Sequence, residues 1–458
     1  MLKTRKLADE TRKLADETRK LADETRKLAD ETRKFADGSK GTAMNERNAS
    51  HIEALVKDQN SWRETCLNLI ASENVTSRRV RGLMGSDFAH RYAEGHPGER
   101  YYQGTEIIDE IESLLKQQMK GLFRCRHTDV RPISGTIAND AVFSRYIRPG
   151  DVVMVNSTPG GGHISHHRAG SVGKYTKNIV NFPLTADGWH IDVEHTLDLM
   201  KALEPRVVIM GKSLFLFPEP VKEIAPYCKK KGIHLIYDAA HVLGLIAGHQ
   251  FQDPLAEGAP LVTASTHKTF FGSQRGVILS NLDDDEWRKI DKGAFPGSSS
   301  NHHLETLVAL TFATYEMMEF GEEYARQIVA NAKHFARKLF DLGFKVPAEQ
   351  FGFTESHQVA IDMSDFGGGA SAALTLKDNR IIANMNLLPH EPLDRVTNPA
   401  GIRLGVQEMT RVGMKEPEME RIAELFKRCL MEKKFVGDEV AEFRAKFQEI
   451  GYSFDGRR

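Results

Sequence analysis

Residues 261–272 read LVTASTHKTFFG, an apolar and β-branched run that reaches Lys268 just before a turn. This composition predicts a buried strand with a lysine at its carboxyl end. A second run at residues 233–237, IHLIY, leads into Asp238 in the same way. Ligands of α/β sheets bind beyond the carboxyl ends of the strands, so we expect both side chains to face one site.

A lysine and an aspartate at two strand ends are what a pyridoxal-phosphate enzyme needs. Lys268 would hold the aldehyde of the cofactor as a Schiff base. Asp238 would keep the pyridine nitrogen protonated, so that the ring can accept electrons from the substrate. Either residue alone indicates only an ordinary exposed strand end, and the phosphate and carboxylate sites described below favour the cofactor.

Composition narrows the class of protein. The chain has 458 residues, enough for two or three domains. Its 40% hydrophobic and 27% charged content is typical of a soluble globular protein. A net charge of −1 gives no reason to expect nucleic acid or an anionic membrane as a partner. No apolar run could span a bilayer, and the charged N-terminus lacks a signal peptide. We therefore expect a cytoplasmic protein. We also expect no metal site, because the four cysteines form no CxxC pair: Cys66, Cys125, Cys228 and Cys429.

The N-terminal segment is a seven-residue repeat. TRKLADE occurs four times over residues 4–31 and once more as TRKFADG over residues 32–38. Each unit supplies one large apolar residue, whereas a coiled-coil seam needs two. We predict that residues 1–44 are an added tag and linker, and that the natural chain begins near Met44.

The remaining chain alternates between helical and strand patterns, which predicts an α/β fold with a mainly parallel sheet. We expect helices at 106–122 and 137–147, and strands at 152–155, 207–210, 234–237, 261–264 and 277–279. A helical region at 304–342 leads into a smaller α+β domain, with strands at 359–363 and 381–383 and helices at 416–433 and 438–450. The predicted divisions are an N-terminal arm (45–75), a large cofactor-binding domain (76–320) and a small domain (321–458).

A candidate phosphate site lies where Ser134, Gly135 and Thr136 lead from a strand into a helix. Small residues leave backbone N–H groups free at a helix start, where the dipole favours an anion. The same pattern also fits an ordinary helix cap. Farther along, a GGG run precedes His163, whose ring can stack on a flat cofactor. The histidines that follow lack carboxylate or thiol partners at metal-ligand spacing.

Two further motifs fit an amino-acid substrate. Arg403 lies in a short strand flanked by glycines, and a guanidinium binds a carboxylate through two parallel hydrogen bonds. A structural ion pair is the alternative. Glu94 and Tyr102 lie in a loop rich in glycine and tyrosine, where a carboxyl group can transfer protons. An ordinary surface loop is the alternative for these residues.

Taken together, these stretches resemble the serine hydroxymethyltransferase family, whose members are fold-type-I pyridoxal-phosphate enzymes. The resemblance extends over nearly all of the chain after the repeat, and its motifs occur in the order of the family. The forms HRYAEG…RYYQG and FPGSSSNHHLET look more like the archaeal branch. The matching stretches are LNLIASENVTS (67–77), HRYAEGHPGERYYQG (90–104), SGTIAN, GGGH, YDAAHVLGL (237–245), STHKT and GIRLGVQEMTRVGMKE (401–416).

The resemblance implies a role for each matching residue. Lys268 carries the cofactor, Asp238 pairs with the ring nitrogen and His163 stacks on the ring. Thr266 assists the exchange of the lysine for the substrate. His241 and Ser213 bond the phenolic oxygen of the cofactor. Its phosphate is held by the helix start, at Ser134, Gly135 and Thr136. His267 completes the cofactor site.

For the substrates, the resemblance implies that Arg403 binds the carboxylate and that Ser72 and Tyr102 position the amino acid. Glu94 is the acid–base group. The site is completed across a homodimer, with Tyr92, Glu94 and Tyr102 supplied by the partner subunit. The pterin region matches loosely, with Asn386 as its candidate. The Ser298–Asn301 stretch and Val406 depart from the family pattern, and no role is transferred to Arg275.

The implied reaction is reversible transfer of the serine hydroxymethyl group to a tetrahydropterin, giving glycine and the methylene-pterin. Tetrahydrofolate and tetrahydromethanopterin both remain open as the acceptor. Three alternatives also remain open: a threonine aldolase or transaldolase on the same scaffold, an α-methylserine-specific relative, and a non-enzymatic protein that kept the fold. The sequence does not decide between a dimer and a tetramer.

Overall fold

The computed structural model describes residues 41–455 together with Asp23 and Arg26, and it divides into two compact units between Glu64 and Thr65. The first unit contributes helix α1 (Gly41–Glu64) to the described residues. Apart from Asp23 and Arg26, the seven-residue repeat lies outside them, and so does most of the predicted tag. The predicted four-part division of the chain stays a prediction, and its boundary at residue 320 falls within a single long helix.

The second unit contains all the strands that the structure describes. They are β1 (Leu67–Asn68), β2 (Gly95–His96), β3 (Glu99–Arg100), β4 (His127–Asp129), β5 (Val153–Val155), β6 (Ile179–Asn181), β7 (Val207–Met210), β8 (His234–Asp238), β9 (Leu261–Ser265), β10 (Gly276–Ser280), β11 (Gln358–Asp362), β12 (Ile381–Ile382), β13 (Asn384–Asn386) and β14 (Gly401–Gly405).

The helices of this unit follow in the same numbering. They are α2 (Arg78–Leu83), α3 (Glu106–Phe123), α4 (Gly135–Tyr146), α5 (Val193–Leu203), α6 (Val221–Lys231), α7 (Leu243–Ala247), α8 (Asp284–Lys292), α9 (Leu304–Asp341), α10 (Gly369–Asp378), α11 (Gln407–Arg411), α12 (Glu416–Leu430) and α13 (Gly437–Arg444). Short 3-10 or irregular turns lie at Asp87–His90, Ile164–His166, Val172–Lys174, Gly293–Ser298, Glu349–Phe351, Ser364–Phe366 and Leu393–Thr397.

A seven-stranded sheet forms the centre of the unit, in the order β4-β10-β9-β8-β7-β5-β6. Strand β10 runs antiparallel to both neighbours, and the other neighbouring pairs are parallel. The predicted mainly parallel sheet is therefore confirmed. The five predicted strands match β5 and β7 to β10 within one residue at each end. Strands β4 and β6 were not predicted, because each has three residues and no apolar run.

Helices cover both faces of this sheet, as buried parallel strands require. Side chains alternate along each strand, so Val153 and Val155 join a cluster with Phe143 of α4 and Ile290 of α8. Met154, between them, belongs to the larger cluster on the opposite face, to which α3 and α9 also contribute. This arrangement leaves the carboxyl ends of the central strands free to form a site.

A smaller antiparallel sheet, in the order β11-β14-β13, lies beyond α9 in the chain. The strands predicted at 359–363 and 381–383 correspond to β11 and β12, and the predicted helices to α12 and α13. The prediction for α13 is wrong beyond Arg444. There the chain turns back, and the ring of Phe447 packs 5.4 Å from that of Phe443. Among the described residues, no helix combines the length and apolar character of a membrane span.

A buried charge cluster anchors α3 to the loop that precedes it. Glu112 is fully buried and accepts a 2.6 Å hydrogen bond from Arg100 Nη2. Lys116 Nζ lies 2.6 Å from its other oxygen, and His302 lies 3.8 Å away. Burial disfavours the carboxylate, but these three groups outweigh it and lower the pKa of Glu112 to about 2.

We expect Glu112→Gln to remove an acid-sensitive part of the stability. Because the folded pKa is depressed from 4.5 to about 2, the contribution is complete above about pH 4.5 and disappears as the pH falls towards 2. It amounts to about 3 kcal/mol of unfolding free energy at neutral pH. Urea unfolding at several pH values measures it, with the exposed Glu110→Gln as control. A difference between wild type and variant that does not change with pH would contradict this account.

Candidate active site

A cavity of about 240 Å³ lies at the carboxyl ends of β8 and β9. It gathers residues from distant parts of the chain that the sequence assigned to one site. The predicted residues that line it are Ser134, Gly135, Thr136, His163, Asp238, His241, His267 and Lys268. Asn139 and Lys212 also line it, although neither was predicted.

Asp238 is a buried carboxylate held in a fixed orientation. Its Oδ2 accepts hydrogen bonds from Asn139 Nδ2 at 2.8 Å and from His166 Nε2 at 3.0 Å. Its Oδ1 accepts the backbone N–H of Ala240 at 2.9 Å. Burial alone would favour the neutral acid, but these bonds and the nearby imidazoles hold the pKa well below its usual range. The cavity therefore contains a permanent negative charge at neutral pH.

Lys268 is buried at the end of β9, and its Nζ makes no hydrogen bond or ion pair with any residue that the structure describes. Burial lowers the pKa of this amine to about 8, with Asp238 opposing the shift and Arg403 adding to it. A neutral amine is the nucleophilic form, so a useful fraction is reactive near neutral pH. The backbone is also tied down, because Asn74 Nδ2 donates to the Lys268 carbonyl at 2.5 Å.

The start of α4 provides an anion cradle beside the lysine. Ser134 caps the helix by accepting the Ile137 N–H at 3.2 Å, while the first N–H groups of the helix have no intrahelical acceptor. Gly135 lies so close to β9 that a Cβ there would approach Ser265 Oγ to 2.3 Å. The glycine therefore allows the helix start to reach the strand end.

The imidazole of His163 follows the glycine run and lines the cavity. Its Nδ1 accepts the backbone N–H of Ser165 at 3.2 Å and lies 2.7 Å from the Ser165 hydroxyl. Burial lowers the pKa of His163 to about 4, so the ring is neutral. A neutral ring at the cavity wall is suited to stacking on a flat ligand. His267, which lines the same cavity, is also neutral, because burial lowers its pKa to about 4.

Arg403 lies on β14 and reaches across to Ser213. Its Nη1 donates to the Ser213 carbonyl at 2.7 Å and to the Ser213 hydroxyl at 2.8 Å. Its Nη2 donates to Asn384 Oδ1 at 3.3 Å, whereas Nε is buried without a hydrogen-bond partner. The guanidinium forms no ion pair with a described carboxylate, so it can receive the carboxylate of a ligand.

The remaining cofactor-site candidate, Thr266, is fully buried and engaged in a loop. Its hydroxyl donates to the Ser273 carbonyl at 2.7 Å and accepts the Arg275 N–H at 3.2 Å.

Ser72, a candidate for binding the amino acid, lies in a half-buried turn whose neighbouring residues are hydrogen-bonded on both sides. The Ala71 carbonyl beside it lies 3.2 Å from His357 Nε2, and Gln407 Nε2 donates to the Glu73 carbonyl at 2.6 Å.

The predicted acid–base loop does not line the cavity of its own chain. Tyr92 and Tyr102 are exposed, with ring centroids 5.4 Å apart. Partial burial and the adjacent Glu94 carboxylate raise the pKa of Tyr102. Asn386, the pterin candidate, ends β13 and donates to the Leu387 carbonyl at 2.6 Å.

Besides Lys212, four residues that contact the predicted site residues were missed by the sequence reasoning. Asn139 and His166 orient Asp238, Asn384 contacts Arg403, and Gln358 contacts His241. Asn139 ends the SGTIAN motif and His166 lies three residues after the GGGH motif, so a search for polar neighbours of each motif would have found them. Within the described ranges, no group of three or more histidine, cysteine or acidic side chains could hold a metal ion.

The residues fit pyridoxal phosphate on the evidence of their own geometry. The start of α4, where Ser134, Gly135 and Thr136 provide an anion cradle, lines the same cavity as the unpaired amine of Lys268. The charged Asp238 is available for a protonated ring nitrogen, and His163 for the ring face. The donor set thus covers the phosphate, the aldehyde, the nitrogen and the π system of the cofactor.

Comparison with known proteins points to one family. The family model described as serine hydroxymethyltransferase matches residues 45–426. A serine hydroxymethyltransferase of Methanosphaera stadtmanae is 47% identical over 411 residues, which is 90% of this chain and 97% of the relative. One from Pyrococcus abyssi is 49% identical over 407 residues, covering 87% of this chain and 95% of the relative.

A solved structure shows the same architecture. The L-threonine transaldolase from Pseudomonas fluorescens, in its internal aldimine state, has a TM-score of 0.82 at 29% identity, covering 90% of this chain and 95% of that chain. Together with the seven-stranded sheet, this match confirms the predicted fold-type-I architecture. The chain belongs to the serine hydroxymethyltransferase family of pyridoxal-phosphate-dependent enzymes.

Proposed function

We propose that the protein transfers the hydroxymethyl group of serine reversibly to a tetrahydropterin, with glycine as the second product. The observation that carries this proposal is the presence of two buried basic side chains that suit different parts of the ligands. Lys268 presents an unpaired amine with a pKa of about 8, and Arg403 presents a guanidinium without a carboxylate partner in the described chain. The first suits a carbonyl cofactor and the second an amino-acid carboxylate.

When bound, pyridoxal phosphate supplies the electron sink for breaking the bond between Cα and Cβ of the amino acid. Lys268 would provide the amine that holds the cofactor. Asp238 stays charged and fixes the protonation of the ring nitrogen, with His166 and Asn139 fixing the carboxylate in turn. Ser134, Gly135 and Thr136 bind the phosphate.

Arg403 orients the amino acid in this account. Ser213 and Asn384 hold its two terminal nitrogens, so the guanidinium is pre-organised before a substrate arrives. Its unpartnered Nε is a donor for one carboxylate oxygen. Clamping the carboxylate restricts rotation about the bond between Cα and the amino nitrogen. This restriction determines which bond of the substrate is broken. Ser72, Thr266, His267 and Asn386 keep their predicted supporting roles as part of the proposal.

Glu94 and Tyr102 supply proton transfer from a partner subunit in this proposal. Their loop lies away from the cavity of its own chain, and it presents the exposed rings of Tyr92, Tyr101 and Tyr102. Exposed aromatic clusters of this kind are typical of protein interfaces. The site would then be shared across a homodimer. The four cysteines are free and buried, which supports a reducing location such as the cytoplasm.

Threonine transaldolase activity is the second candidate, because the solved neighbour carries that name. A lysine, an aspartate and an arginine at this site suit either reaction. The relatives at 47–49% identity named serine hydroxymethyltransferase favour the first activity. The two candidates differ in their dependence on a pterin, and this difference can be measured directly.

We expect the protein to form glycine from serine at least about tenfold faster when a tetrahydropterin is added. Parallel assays with tetrahydrofolate and with tetrahydromethanopterin identify the acceptor. Lys268→Ala should lower the rate by about a thousandfold or more, because the amine that holds the cofactor is lost. The exposed Lys289→Ala should keep full activity. Cleavage of threonine with no response to either pterin would favour the transaldolase candidate instead.

We expect two inactive variants to restore activity when they are coexpressed. In a heterodimer of Lys268→Ala and Glu94→Gln, one of the two shared sites is intact, so about one quarter of all sites recover. Lys268→Ala with Asp238→Asn is the matched control and should recover nothing, because both residues come from one subunit. Absence of recovery in the first pair would place Glu94 in the same subunit as Lys268, or outside the chemistry.

A further inference from the structure

Gln358 is a fully buried glutamine at the start of β11 that the proposed chemistry does not use. Its side chain lies between the main chain after β7 and the imidazole of His241, which lines the cavity. Its contacts define both ends of the amide.

The orientation of this amide is fixed by two backbone groups. Gln358 Oε1 accepts the Phe215 N–H at 2.8 Å. Gln358 Nε2 donates to the Ser213 carbonyl at 3.0 Å. Rotating the amide by a half-turn would place an oxygen against a carbonyl and a nitrogen against an N–H, so both bonds would be lost.

The second hydrogen of Gln358 Nε2 points to His241. Nδ1 of His241 lies 3.0 Å from this nitrogen and must therefore be the acceptor. His357 Nε2 lies 3.3 Å from the same nitrogen, but it also lies 3.2 Å from the Ala71 carbonyl. A carbonyl can only accept, so His357 uses Nε2 as a donor to Ala71 and does not compete for the amide hydrogen.

The contacts of Nε2, on the other side of the His241 ring, indicate that this nitrogen carries the proton. Arg403 Nη1 lies 3.5 Å from His241 Nε2, but its two hydrogens already bond to the carbonyl and hydroxyl of Ser213 at shorter distances. Burial, with Lys268 and Arg403 nearby, lowers the pKa of His241 well below its usual range. The ring is thus neutral and carries one proton, and only Nε2 can hold it.

From this geometry we infer that Gln358 is a positioning residue that holds neutral His241 as the Nε2–H tautomer and so presents a hydrogen-bond donor to the cavity. The inference rests on the proposed function for its purpose. Among the cofactor contacts that the family resemblance implies, the phenolic oxygen lies beside His241, and an anionic oxygen needs a donor rather than an acceptor. With the other tautomer, the same ring would present a lone pair and repel it.

The tautomer is measurable directly, by ¹⁵N NMR of histidine-labelled full-length protein with and without pyridoxal phosphate. The His241 signals are identified as those that are absent from the spectrum of the His241→Gln variant. We expect wild type to show an unprotonated Nδ1 and a protonated Nε2 in both states. A protonated Nδ1 in wild type would overturn the inference, whatever the variants show.

Two substitutions at Gln358 test its control over the ring. Gln358→Glu places an acceptor where the donor was, so we expect the tautomer to switch to Nδ1–H. Gln358→Met removes the donor at similar length, so we expect a mixture of tautomers. Gln274→Glu adds the same charge at the cavity wall without contacting His241 and should leave the wild-type tautomer in place. If both Gln358 variants keep the wild-type tautomer, Gln358 does not control it.

Cofactor binding gives a second readout that is independent of turnover. We expect Gln358→Glu to raise the dissociation constant of pyridoxal phosphate by about tenfold or more, and Gln358→Met to raise it less. Unchanged affinity together with a switched tautomer would overturn the link to the cofactor. Failure of the serine assay with the predicted tautomers intact would instead count against the proposed function and leave the control of His241 standing.

Discussion

The site depends on keeping two opposite charges buried close together without letting them pair. Asp238 is engaged by His166 and Asn139, so its charge is compensated before it can form an ion pair with Lys268. The lysine is left with a lowered pKa and no partner among the described residues. A direct ion pair would raise that pKa and make the amine unreactive. The amine of Lys268 therefore stays reactive because the carboxylate of Asp238 is already hydrogen-bonded to other residues.

The sheet provides the conditions for this arrangement. Strands β8 and β9 are parallel neighbours, and Asp238 is in register with Thr263. The Thr263 hydroxyl donates to Asn139 Oδ1 at 2.5 Å, and this bond directs the amide nitrogen to Asp238. Gly211, at the end of β7, has a φ of +120°, and a Cβ there would lie 2.2 Å from the Asp238 carbonyl. The same interactions that pack the strand ends thus also orient the carboxylate.

The sequence was sufficient for the central strands and for most of the residues that line the cavity, because both leave local signals. Apolar runs predicted β7 to β10, and the polar residues that end them predicted Asp238 and Lys268. The residues that orient the site leave no such signal. Gln358 is 117 positions from His241, and Asn139 is 99 positions from Asp238, so only the folded chain shows these contacts. The edge strands β4 and β6 were missed because pairing, rather than composition, makes them strands.

Borohydride reduction of the pyridoxal-phosphate-loaded protein, followed by peptide mass mapping, tests the central claim most directly. Lys268 and Lys212 line the same cavity, but Lys212 Nζ is paired with Glu219 at 2.6 Å, whereas Lys268 is unpaired. The account predicts a pyridoxyl label on the peptide that carries Lys268 and none on Lys212. A label on Lys212, or no label at all, would contradict the assignment of Lys268 as the amine that holds the cofactor.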